Sequence, residues 1–277
     1  MTLNLLTKNF IIAVMLLLVT NSYSQYGAMS FNKAVNISGK QRMLSQRMAK
    51  IYLYLIDNPN DIKAKKDLKI SKIIFEKQLN ILKKNTQNTW TLQNIEEVNT
   101  AWEKYKEILE STPNNKSAIK IINTNSTVLK YANNVVNSII DESKGSIQSN
   151  EAYIEEEDSE LKSIINKSGK QRMLAQRLAL YYYANKPNLK TKGTTNRLET
   201  VFTELDGVID ELLISSFNND RIDDSLGNVM ELWQDVKDSK EKLLKQGYDD
   251  LEMYSLSNKL TKNFNSITNL YEKVRIE

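Results

Sequence analysis

The sequence predicts an all-α protein built as tandem antiparallel four-helix bundles, and three observations predict it. First, 277 residues contain only 8 glycines and 3 prolines, too few of the breaks that strand-rich chains need. Second, apolar residues recur at helical spacing, as in Leu68, Phe75, Leu79 and Leu82, or Val128, Ala132, Val135 and Ile139. Third, the stretch from Asn36 to Ala49 is written again, nearly unchanged, from Asn166 to Ala179, and Ser38 to Leu44 is identical to Ser168 to Leu174. A content of 40% hydrophobic and 26% charged residues is that of an ordinary folded protein.

Turn-forming clusters divide each half into four helices. In the first half they fall at Asn58-Pro59-Asn60, at Asn85 to Thr89 and at Thr112-Pro113-Asn114-Asn115, leaving helices over 28–57, 61–84, 90–111 and 117–144. In the second half they fall at Asn185-Lys186-Pro187-Asn188, at Phe217-Asn218-Asn219-Asp220 and at Gln246-Gly247-Tyr248, leaving 150–185, 189–215, 221–245 and 249–276. Ile222, Leu226, Val229, Trp233 and Val236 form one stripe on the seventh of these. The halves also align at Val98, Trp102 and Lys106 against Val229, Trp233 and Lys237, with both tryptophans read as core anchors. Short connections place successive helices side by side, so each half closes as a bundle. The division is 1–24 as a signal peptide, 25–147 as the first unit and 148–277 as the second. Gly145 to Asn150 joins the halves, by a hinge at Gly145 or by helix running into helix, and Glu155 to Asp158 is read as a solvated helix start favoured by the dipole.

Composition removes several function classes. Without cysteine or histidine there are no disulfides, thiol nucleophiles, Ser-His-Asp triads or common zinc sites, so neither cofactor nor metal is expected. No phosphate-binding glycine loop occurs, and a net charge of +4 spread along the helices gives no nucleic-acid footprint. Carboxylates and tyrosines such as Tyr181-Tyr182-Tyr183 show no convergent acid and base, so no enzyme is expected. The N-terminus has an export pattern: one positive charge by Lys8, an apolar run from Phe10 to Val19, and Ser22-Tyr23-Ser24 before Gln25. That run is shorter than the roughly 20 residues of a comfortable span, which favours cleavage near Ser24 and a periplasmic or secreted protein over an N-terminal inner-membrane anchor.

On a helical wheel the repeated motif has two faces. Ile37, Leu44, Met48, Ile51 and Leu55 fall together and face a bundle core. Nearly opposite lie Ser38, Arg42, Gln46, Ala49 and Leu53, with Gly39 at the edge, and the second copy repeats this with Ser168, Arg172, Gln176, Ala179 and Gly169. A glycine inside a helix costs roughly 1 kcal/mol relative to alanine, which points to close approach of another helix or a ligand. If the two stripes face each other, Arg42 and Arg172 converge, and a small anion between them would resolve their repulsion. In that reading Arg42 and Arg172 are direct ligands, Gly39 and Gly169 permit close approach, and Ser38, Ser168, Gln46 and Gln176 are supporting donors. Arg47 and Arg177 flank the stripe, and Met43 and Met173 pack at its border. The competing reading is a seam of salt-bridged or packed residues that binds another helix and no small ligand.

Asn-x-Ser-Gly-x-Gln-Arg-Met-Leu-x-Gln-Arg resembles the signature of NarX-like and PilJ-like sensor domains, carried by nitrate/nitrite sensor kinases and by type IV pilus chemotaxis transducers. The resemblance implies a periplasmic four-helix bundle with the signature on its first helix. In the nitrate sensors an arginine of this segment from each subunit of a dimer holds the anion, and the matching positions are Arg42 and Arg172. The Gln-Arg-Met-Leu spelling is closer to the pilus-transducer variant, for which the resemblance names no ligand. Sensors of this kind continue into a second membrane span and a cytoplasmic signalling module, so this chain is expected to need a membrane-bound signalling or envelope partner. Two copies in one chain are expected to replace the two-chain dimer.

Overall fold

In a computed structural model the described residues are 25–144 and 152–276, with side chains described from 156 in the second stretch. The signal segment and the junction from Gly145 to Asn150 lie outside them, as does the side chain of Glu155 in the acidic run. Among the described residues the helices are α1 (Phe31–Asp57), α2 (Ile62–Asn85), α3 (Thr89–Glu110), α4 (Asn115–Lys144), α5 (Ala152–Ala184), α6 (Thr194–Leu213), α7 (Asp220–Asp238), α8 (Lys240–Leu244) and α9 (Asp250–Tyr271). Helix α1 packs on α2 and α4, with α3 against α4; α5 packs on α6 and α9, with α7 against α9. No described helix is long and apolar enough to cross a membrane.

Side-chain caps explain most helix starts. The carboxylate of Asp61 accepts from the Ala64 amide at 2.8 Å, Asn88 accepts from Trp90 and Thr91, and Asp249 with Glu252 forms a full capping box before α9. Where the elements differ from expectation, local geometry gives the reason. Residues 28–30 do not begin α1 because Gly27, at φ 59°, turns a two-residue hairpin, Gln25–Tyr26 against Met29–Ser30. That hairpin is pinned to the end of α2: the Tyr26 hydroxyl donates to Leu82 O at 3.0 Å, and the Ala28 amide donates to Asn85 Oδ1 at 2.8 Å. Helix α6 starts at Thr194 rather than 189, since Gly193 at φ 89° is left-handed and cannot continue a helix through the turn after Pro187. The expected 221–245 helix is broken at Ser239 into α7 and α8, and the last helix ends at Tyr271.

The halves meet along α1 and α5, which lie against each other in parallel. At one end the Tyr54 and Tyr183 rings stand 6.0 Å apart and Lys186 pairs with Asp57 at 2.7 Å; near the other end Asn36 and Asn166 contact the arginines of the opposite copy. Because both faces are covered, α1 is buried on nearly all sides from Phe31 to Leu55. The tandem tryptophans are core anchors. Trp102 packs 4.5 Å from Phe75 and donates to Glu76, while Trp233 packs 5.1 Å from Phe202 and donates to Asp206. The lysine one turn on joins the same carboxylate in each case, Lys106 to Glu76 at 2.8 Å and Lys237 to Asp206 at 3.0 Å.

Candidate functional site

The seam brings Arg42 and Arg172 together. A Cβ built on Gly39 would stand 3.2 Å from Nη2 of Arg172 and 3.4 Å from Nη2 of Arg42, so the bare glycine backbone leaves room for both guanidinium groups. On Gly169 a Cβ would come within 2.9 Å of Arg172 Nη2. Long side chains on a helix lean toward its N-terminus, which carries each arginine down to the level of the glycine three residues earlier.

Each arginine reaches across to the opposite copy. Arg42 donates through Nη2 to Asn166 Oδ1 at 2.7 Å and to Asn166 O at 3.3 Å, and through Nη1 to Asn133 Oδ1 at 2.9 Å. Arg172 donates through Nη1 to Asn36 Oδ1 at 2.7 Å and Asn265 Oδ1 at 3.1 Å, and through Nη2 to Asn36 O at 3.3 Å. The pattern is a pseudo-twofold: one asparagine from the facing motif and one from the last helix of the arginine's own half. Every one of these acceptors is a neutral amide oxygen. Glu272 stands one step behind, accepting from Asn36 Nδ2.

Burial therefore dominates the electrostatics. It lowers Arg42 to about 10 from 12.5, and burial together with the charge of Arg42 lowers Arg172 to about 9, with Glu272 opposing. Both remain cationic at neutral pH, so their depressed values measure how poorly the seam solvates two like charges.

The other motif residues divide between the seam and the individual bundles. Ser38 and Ser168 are buried and donate to Val35 O and Ile165 O of their own helices. Gln46 and Gln176 reach toward the last helix of their own half: Gln46 donates to Ser45 Oγ and Asn125 O, and Gln176 to Ser257 O, Asn258 Oδ1 and Thr261 Oγ1. Met43 and Met173 are buried at the border. Arg47 pairs with Asp67 at 3.5 Å, whereas Arg177 lies 5.1 Å from the Tyr181 ring centre and donates to its hydroxyl. Sequence reasoning missed Asn133 and Asn265, and it left Asn36 and Asn166 without a role although they open the repeated stretch.

A third cation, Lys50, is buried one helical stretch along the seam, where the second copy has Leu180. Its Nζ donates to Ser257 Oγ and Asn258 Oδ1 and lies 4.0 Å from the Tyr254 ring centre. Burial, reinforced by Arg47 and opposed by Asp67, holds it well below 10.5. Between that depressed value and 10.5 the unfolded chain binds a proton that the folded chain does not, so this group makes stability rise with pH across the window. Lys50→Leu is expected to stabilise the fold at neutral pH by about 1–4 kcal/mol and to flatten that slope, since Ser257 and Asn258 keep other partners. Urea unfolding at neutral and alkaline pH checks it; a loss of stability at both would show that the lysine's hydrogen bonds outweigh its burial.

Among the described residues no group of His, Cys, Asp or Glu side chains could hold a metal ion. The family model described as Type IV pili methyl-accepting chemotaxis transducer N-term matches residues 27–129 and again residues 156–258. No curated protein and no solved structure gives a match. Both family matches contain the arginine motif on the helix that lines the seam, and together they span most of the sequence: the chain belongs to the PilJ family of chemotaxis-transducer N-terminal domains and carries the domain twice.

Proposed function

We propose that the chain is an exported, non-enzymatic sensory protein that takes up an anion at the seam between its two units, residues 25–147 and 148–277. The observation that supports this is the pair of buried arginines, Arg42 and Arg172, which share one space and spend their donors on asparagine amide oxygens. Those oxygens mark positions where the oxygens of nitrate, nitrite or a carboxylate would bring a full negative charge as well as an acceptor. Each charge-assisted hydrogen bond contributes on the order of 1.5–3 kcal/mol. Gly39 and Gly169 leave the room in which the two guanidinium groups lie. Gln46 and Gln176, engaged inside their own bundles, have no part in first contact with the ligand.

Binding would relieve arginine repulsion and favour one packing of α1 against α5, a population shift that a membrane-bound signalling or envelope protein reads. The competing reading is a structural or protein-interaction helical module with no small ligand, in which the stripes, each covered by its twin, act as a packing seam. Export rests on the N-terminal signal pattern. The test is calorimetric titration and thermal melting of the purified protein with nitrate, nitrite and carboxylates at constant ionic strength. An anion at about a hundred times its dissociation constant raises stability by about 2.7 kcal/mol. Arg42→Ala or Arg172→Ala is expected to abolish that rise. If no anion shifts the melting midpoint, the sensor reading fails.

A further inference from the structure

The two copies are equivalent in fold but differ in charge. Between α2 and α6 the buried positions match at a fixed interval: Leu68, Phe75, Leu79 and Leu82 correspond to Leu198, Leu205, Ile209 and Leu212. Between α4 and α9, Val128, Ala132, Val135 and Ile139 correspond to Leu260, Phe264, Ile267 and Tyr271. These registers place Asp67 opposite Arg197 and Glu272 opposite Ile140. On the Arg172 side, then, two acids offset the bases: Asp67 pairs with Arg47, and Glu272 accepts from Asn36 and acts favourably on both Lys40 and Arg172. On the Arg42 side both acids are gone, and one of them is replaced by a further arginine.

That side is an open groove of about 440 Å³ where α4, α5 and α6 meet. Its cations are Arg42, Lys130, Lys170, Arg177 and Arg197, against the single carboxylate of Glu204, which is paired with Lys170 at 3.0 Å. Among the described residues Arg42, Lys130, Arg177 and Arg197 form no ion pair. Arg177 and Arg197 both lie against the Tyr181 ring, at 5.1 and 5.8 Å from its centre, so two like charges are held side by side. At the groove's inner end Arg42 Nε is buried without an acceptor. The rest of the lining mixes apolar Leu129, Met173, Leu174 and Val201 with polar Ser126, Asn133 and Thr200.

We infer that this groove, and not its twin around Arg172, receives the ligand, and that the ligand is a small di- or tricarboxylate. The inference rests on the anion-sensor reading and narrows it. Several separated cations call for more than one anionic group, since planar guanidinium donors each match a carboxylate. The apolar side chains among the lining suit a short carbon skeleton, which nitrate and phosphate lack, and the hydroxyls of Ser126 and Thr200 suit further polar groups on it. The volume lies within the range of small-molecule sites and far exceeds that of a single oxyanion.

The test is titration of the purified protein with succinate, tartrate and citrate, beside acetate, nitrate and inorganic phosphate, at constant ionic strength. One of the three polycarboxylates is expected to bind once per chain, at least ten times more tightly than acetate. Arg197→Asp, on the exposed side of α6, copies the arrangement of the twin groove and is expected to weaken that binding at least tenfold with the melting midpoint of the unliganded protein unchanged. Arg177→Gln is expected to act in the same direction. If nitrate binds in an Arg42- and Arg172-dependent way that Arg197→Asp leaves intact, and no polycarboxylate binds, the seam reading stands and this inference is overturned. If nothing binds, both fall. Phosphate binding as tightly as the best polycarboxylate would overturn the ligand class.

Discussion

Replacing Arg42 and Arg172 together by methionine is expected to cost more stability than the two single replacements added. Each single change leaves acceptors without their donor, on buried Asn36 and partly buried Asn265, or on partly buried Asn166 and Asn133, at up to about 1–3 kcal/mol for each group that water does not reach. Each single change also removes the repulsion between the two guanidinium groups. The double change removes that repulsion only once, so the sum of the singles counts the relief twice. A positive coupling of about 0.5–3 kcal/mol is the range for residues in direct contact. Urea unfolding of the four proteins measures it. Under a saturating anion that needs both arginines the sign reverses, because either single change already forfeits the binding energy. A coupling that stays near zero in both conditions would mean that the two charges do not feel each other, contrary to the geometry at Gly39.

The second large effect is expected at the tryptophans. Trp102→Ala removes a fully buried indole from between Phe75 and Tyr105 and is expected to cost about 3–5 kcal/mol, with Trp233→Ala similar in the other half. Because α1 and α5 are each packed into their own half and into each other, loss in either half undermines the shared seam. Circular dichroism and tyrosine fluorescence should therefore report one transition shifted to lower denaturant for both variants. Two separated transitions in either variant would show that the halves unfold independently and that the seam contributes little.

Much of this arrangement is legible in the sequence because the duplication spells it twice. The motif fixes which helix of each half carries the glycine and the arginine, and the paired stripes say that these helices meet. What the repeat does not spell was harder to see. Asn133 and Asn265 sit in helices with little residue identity, so no repeated word flags them, although both occupy the same register. Glu76 and Asp206 differ in length, which hides that each holds a tryptophan and a lysine in the same way. Gln46 lies only about 40° around the helix from Arg42, too small an angle for a wheel to separate seam from bundle core. It was the position of α4, a tertiary fact, that decided its direction. The late start of α6 depends on a single left-handed glycine, whose conformation composition does not announce.

The two motif helices belong to one chain, and this frees them from a constraint that binds any homodimer. In a homodimer every substitution appears on both sides of the axis at once, so an acid removed from one edge of the interface is removed from the other. Here Lys50 faces no second lysine, Arg197 stands where the other half keeps an aspartate, and Ile140 where it keeps a glutamate. A homodimeric receptor offers a lopsided molecule two equivalent poses and two edges of entry. A fused pair can distinguish its left from its right, and so could tell the two ends of a bound molecule apart.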